Sequence, residues 1–173
     1  KLIFISLLFS ILSLSVSAQK PTKAEKAAQL EQEFQQTRQL IESNHFQFEL
    51  NRVYPQDGQD LSRFNPRGKF VITDSVAKGT LPFFGRAYSL PYGEGGGIEF
   101  DGVMKDQSLK IEHKKKRKIL IYRFSITAKN DTYQISMEIS GGGNCSVNLN
   151  SNNRAQISYS GTVSPVKDET GKS

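Results

Sequence analysis

Three carboxylates, Glu94, Glu99 and Asp101, stand close together in the sequence and beside two tyrosines, Tyr88 and Tyr92. Paired carboxylates next to sugar-stacking rings are the ingredients of glycoside hydrolysis, in which one acid protonates the leaving oxygen and the other acts as base or nucleophile. The spacing argues against that chemistry. Glu99 and Asp101 are two residues apart in the strand-like run GIEFDG, which places them on one face, where solvated carboxylates are ordinary. The chain has no G-x-S-x-G elbow for a serine nucleophile. Gly93, Gly95, Gly96 and Gly97 suggest a phosphate cradle, but they precede a strand instead of a helix, lack the following Lys-Ser/Thr, and carry Glu94 where the anion would sit. His45 and His113 are far apart, and His113 adjoins the basic run Lys114 to Lys118, which opposes a bound cation, so neither metal nor cofactor is expected. The better use of these side chains is binding, with Phe83, Arg86, Tyr88, Tyr92 and Glu94 as candidate ligand contacts.

These residues belong to the stretch around which the chain is organised, LPFFGRAYSLPYGEGGGIEFDG, from Leu81 to Gly102. Large rings and prolines beside the glycines do not suit a loose linker, which would be rich in Ser and Gly. They suit an ordered Ω-like loop packed on a domain by its own side chains. Clustered glycines at Gly95 to Gly97 further imply backbone turns with positive φ. In such a loop Phe84 and Tyr88 are expected to pack inward. Tyr92, flanked by glycines that offer little cover, is expected to be the exposed ring.

The chain has 173 residues, enough for one domain with a core. Lys1 to Ala18, KLIFISLLFSILSLSVSA, reads as a signal peptide: a Lys, an apolar run, then the small residues Val16-Ser17-Ala18 of a cleavage site. The remainder carries 22 Lys and Arg against 17 Asp and Glu, a net charge of +5. The reading is of an exported protein, periplasmic or extracellular, that is not an integral membrane protein after cleavage. Cys145 is the only cysteine, which excludes an internal disulfide. It falls in an alternating strand and reads as a small core residue.

The rest of the chain supplies the frame. Residues 19–45 form an N-terminal segment with one amphipathic helix, Pro21 early in it and Ser43-Asn44 at its end. Ala27, Leu30, Phe34 and Ile41 form the apolar stripe, widened by Leu40. From Phe46 the period drops to two, and residues 46–164 read as an antiparallel β-domain. Phe46, Phe48 and Leu50 share a face, with Gln47, Glu49 and Asn51 on the other. Phe70 and Ile72 begin a second strand, Val76 a third, and Ile98 to Phe100 make a short one. Leu109 and Ile111 lead into a basic hairpin tip, Lys114 to Lys118. Then Leu120 to Ala128, Tyr133 to Ile139, Cys145 to Leu149 and Ile157 to Val163 alternate in turn, joined by Lys129-Asn130-Asp131, Gly141 to Asn144 and Ser151 to Arg154. Eight or nine strands behind one helix suggest a small, lipocalin-like antiparallel barrel or a strongly curled sheet, with the helix capping an end or edge. Residues 165–173 are polar and are expected to form a disordered tail.

At LPFFGRAYSLPYGEGGGIEFDG, and again at SNNRAQISYSG from Ser151 to Gly161, the chain resembles the exported Bacteroidetes proteins grouped as domain of unknown function 4251. The resemblance implies a β-rich, lipocalin-like fold and a periplasmic or surface setting; it carries over no activity. It singles out Phe84, Gly85, Arg86, Tyr88, Pro91, Tyr92, Gly95, Gly96, Gly97, Asn152, Asn153, Arg154 and Tyr159. It also makes Asp74-Ser75-Val76 similar to an O-glycan acceptor triplet.

The expectation is therefore a non-enzymatic exported β-domain that binds an envelope glycan, lipid or protein through the loop 81–102. A carrier of a small apolar ligand inside the barrel is the alternative, and a hydrolase of envelope glycans a second. Nucleic acid is disfavoured, because export removes that partner and no aromatic platform accompanies the basic tip.

Overall fold

The computed structural model describes residues 22–88, 96–114, 117–128 and 131–167. The expected signal peptide 1–18, Pro21 and the residues beyond 167 lie outside the described residues.

The helix α1 (Lys23–Glu42) opens on a capping box. Thr22 Oγ1 accepts from Glu25 N at 3.2 Å, and Thr22 N donates back to Glu25 Oε2 at 2.7 Å. The chain then leaves through Ser43 and Asn44, the latter at φ 49°. Eight strands follow: β1 (His45–Pro55), β2 (Lys69–Thr73), β3 (Val76–Leu81), β4 (Ile98–Lys114), β5 (Arg117–Thr127), β6 (Thr132–Ser140), β7 (Asn144–Ser151) and β8 (Ile157–Pro165). Each pairs antiparallel with the next, and β8 pairs with β1, so the sheet closes into a barrel. The loop after β1 contains a single 3-10 turn, Ser62–Phe64.

The alternation places one side chain in two inside. Phe48 stacks on Phe70 with centroids 5.1 Å apart, Phe70 meets Phe100 at 5.9 Å, and Phe100 meets Tyr133 at 6.2 Å. A second run joins Phe46, Tyr122 and Phe124. Ile72, Leu81, Ile126, Met137, Val147 and Leu149 fill between them and are all buried. At the seam, Gly161 of β8 leaves room for β1: a Cβ there would meet the Phe48 ring at 2.8 Å and run into the Glu49 carbonyl oxygen. Cys145 is buried among these residues, as its alternation implies.

Three expectations need correction. Ile98–Phe100 and Leu109–Ile111 belong to one 17-residue strand, because a bulge between Lys105 and Ser108, with Asp106 at φ 53°, lets β4 bend and continue. The helical stripe begins late: Phe34, Thr37 and Ile41 are buried and Leu40 packs beside them, but Ala27 is exposed and Leu30 is 63% exposed. The helix buries side chains on the barrel only from Phe34 onward, where Gly141 lets the Phe34 backbone approach; one turn earlier the contact is an exposed ion pair, Lys118 reaching Glu31 at 2.9 Å. Finally, the outer face is neither wholly polar nor wholly exposed, for the apolar Ile119 and Ile121 are buried there and so is Gln47.

Candidate functional site

The loop that leaves β3 does not wander. The Tyr159 hydroxyl, rising from β8, donates to the Pro82 carbonyl at 2.9 Å. Further on, Ala155 N donates to Arg86 O at 2.9 Å and Tyr88 N donates to Asn153 O at 2.7 Å, so Ala87 and Arg154 form an isolated antiparallel bridge. Three backbone or side-chain bonds therefore brace residues 82–88 at one rim of the barrel, two against the β7–β8 connection and one against β8 itself. That connection is itself tied down: Asn153 N donates to Ser151 Oγ at 3.0 Å, and Ser151 Oγ donates to Asp131.

Arg154 is the side chain that sequence reasoning misplaced. It lies in what reads as a polar turn, yet it is only 5% exposed. Its guanidinium carbon lies 5.2 Å from the centroid of the Phe83 ring, and Nη1 donates weakly to the Gly96 carbonyl at 3.4 Å. Its Nε is buried and has no hydrogen-bond partner among the described residues. No local pattern marks Arg154 as buried, because its cover comes from a loop some seventy residues earlier in the chain.

The candidate contacts divide. Phe83 is half-buried over Arg154 and serves packing; Gly85 makes that possible, since a Cβ there would meet Phe83 Cζ at 2.8 Å. Arg86 is exposed. Tyr88 is 66% exposed and Phe84 39%, which reverses the expectation that these two pack inward: the braces hold their backbone, not their rings. Tyr92, Pro91, Gly93, Glu94 and Gly95 lie outside the described residues. Gly96 and Gly97 are not among the described glycines with left-handed φ, and no described residue lies within 4 Å of a Cβ placed on Gly96. The expectation of left-handed turns therefore fails at both. Of the second signature, Asn152 is exposed, Asn153 supplies the carbonyl for Tyr88, and Tyr159 is buried.

The carboxylates do not join this rim as a pair. Glu99 and Asp101 are exposed on the outer wall, and Asp101 binds Lys78 of β3 at 2.7 Å. His45 and His113 are exposed on different strands, and among the described residues no group of three His, Cys, Asp or Glu could hold a metal ion. Burial, with Glu138 adding to it, pushes the Cys145 thiol well up, away from thiolate chemistry. The basic tip is the β4–β5 hairpin; Lys114 and Lys118 at its base are held by Glu138 and Glu31. Ser75 is exposed at the β2–β3 turn. Among the described residues no helix is long and apolar enough to cross a membrane.

The family model for a domain of unknown function (DUF4251) matches residues 28–163, from α1 to the end of β8. The chain belongs to the DUF4251 family. Its fold is similar to the crystal structure of a DUF4251 family protein from Bacteroides eggerthii DSM 20697, with 22% identity, a TM-score of 0.56, and 81% of this chain and 91% of that chain covered. No curated protein is significantly similar to the chain. In this DUF4251 barrel the two sequence stretches that carry the family resemblance lie against each other, joined by the Ala87–Arg154 bridge.

Proposed function

We propose that this protein is an exported, non-enzymatic binding module that takes an envelope saccharide on the rim formed by residues 82–88 and 152–155. The observation that carries this reading is the exposure of Tyr88 and Phe84 on a backbone fixed by hydrogen bonds to Asn153 and Ala155 and, through Pro82, to Tyr159. Large rings exposed on a braced segment cost little entropy to use and present an apolar face with, for tyrosine, a polar tip. Saccharide rings are recognised by such faces, and Arg86 beside them adds a donor for hydroxyls or acidic groups. An apolar carrier finds less support, because the inward positions hold large rings packed against one another.

Tyr88→Ala and Phe84→Ala test the reading on glycan arrays and envelope extracts. Retained melting temperature with binding lost in either variant supports the rim as the site. Saccharide binding that both variants retain would exclude it.

A further inference from the structure

We infer that this protein pairs with a second copy of itself along the outer half of β4, edge to edge. β3 has only six residues and its pairing with β4 ends at Val76 opposite Val103. Beyond the bulge, Ser108 to Lys114 pair with β5 alone among the described residues. Among the described residues no strand lies beside the opposite edge of this segment, so it presents a row of backbone donors and acceptors, the standard template for strand addition.

Lysines commonly keep such edges from pairing at random, and the exposed Lys110 is placed to do so. The order of charges, however, makes this strand complementary to itself. Lys110 and Glu112 are both exposed and flank Ile111, itself 41% exposed. In an antiparallel pair with Ile111 opposite its counterpart, each Lys110 stands opposite a Glu112, and the two-fold symmetry supplies that pair twice. Sliding by two residues sets Lys110 against Lys110 or Glu112 against Glu112. Sliding by one opposes the inner face of one copy to the outer face of the other. One register therefore satisfies charge and facing together, and it covers Ile111.

The arm is also ordered before any partner arrives. The Tyr122 hydroxyl lies 2.9 Å from Gln107 Oε1 at its root, and Lys114 is tied to Glu138 at 2.6 Å near its tip. A segment already held as a strand avoids most of the ordering cost of association.

Sedimentation of the purified protein at concentrations up to about 100 μM should show monomer passing to dimer. Lys110→Glu and Glu112→Lys should each weaken the dimer by about tenfold or more, since each replaces two attractive pairs with two repulsive ones. The double variant, with the charges exchanged, should recover it. Both side chains are exposed, so unchanged melting temperatures are expected throughout. A monomer over the whole range, single variants that dimerise as well as the parent, or a double variant that fails to recover would each overturn the inference.

Discussion

The hydroxyl of Tyr159, deep in β8, donates to the carbonyl of Pro82 at the first step of the loop, 2.9 Å away. One side chain thus spans from the barrel wall to the segment that carries Phe84 and Tyr88. Tyr159→Phe keeps the ring and removes only this bond, leaving a carbonyl with one partner fewer. It should cost about 1–2 kcal/mol in denaturant unfolding and raise amide exchange at residues 86–88 more than in the strands. Uniform exchange across both would mean that the bond does not brace the loop.

Glycines in this chain differ in what they permit. Gly161→Ala pushes a methyl into the Phe48 ring and the Glu49 carbonyl across the β1–β8 seam, where backbone cannot yield without separating the strands. A loss of about 2 kcal/mol or more is expected. Gly96→Ala adds its methyl where no described residue lies within 4 Å and should change stability by no more than about 0.5 kcal/mol. Thermal melts of the two variants side by side decide this; equal losses would count against the seam argument.

On β6 and β7 the two faces should separate cleanly. Met137→Ala and Leu149→Ala remove fully buried side chains and should each cost about 2–5 kcal/mol. Gln134→Ala, on the exposed face of β6, should stay within about 0.5 kcal/mol. Urea titration gives both numbers, and similar values on the two faces would contradict the inward register.

Alkaline pH should unfold the barrel through its phenols. Burial raises the Tyr122 hydroxyl from 10.0 to about 12 and also pushes Tyr159 up. Above the unfolded value the unfolded chain gives up protons that the native state retains, so stability falls as pH rises. The contribution of Tyr122 is complete below about pH 10 and is lost through about pH 12, about 2–3 kcal/mol in all. Tyr122→Phe forfeits the contacts with Asn44 and Gln107 at neutral pH but should flatten this alkaline slope in melts taken from pH 9 upward.

Much of the barrel was legible because period-two alternation is a local property: Tyr133 to Ile139 and Ile157 to Val163 declare their inward faces without reference to any neighbour. The bulge in β4 was not, since Asp106 takes its left-handed turn only because both halves of the strand already pair with β5. At the rim, the proline and rings of residues 82–88 pointed to a braced segment but not to which ring it would bury. That choice rests on Arg154, which offers its guanidinium to Phe83 and leaves Phe84 and Tyr88 outside. Partners so distant in sequence leave no trace in the spacing of either segment.

Closure of the ring has a kinetic side. The seam joins Phe46 to Pro165 and Pro55 to Ile157, the two ends of the β-domain, so its hydrogen bonds form only after nearly every residue between them is available. Pairing at that separation bears the largest loop-closure entropy in the molecule and places it among slowly folding topologies. Until β8 arrives, β1 and β7 are both bare edges beside an uncovered aromatic interior. A chain stopped short of Ile157 would therefore expose the hazards that the finished ring removes, and a nascent chain passes through that same open state.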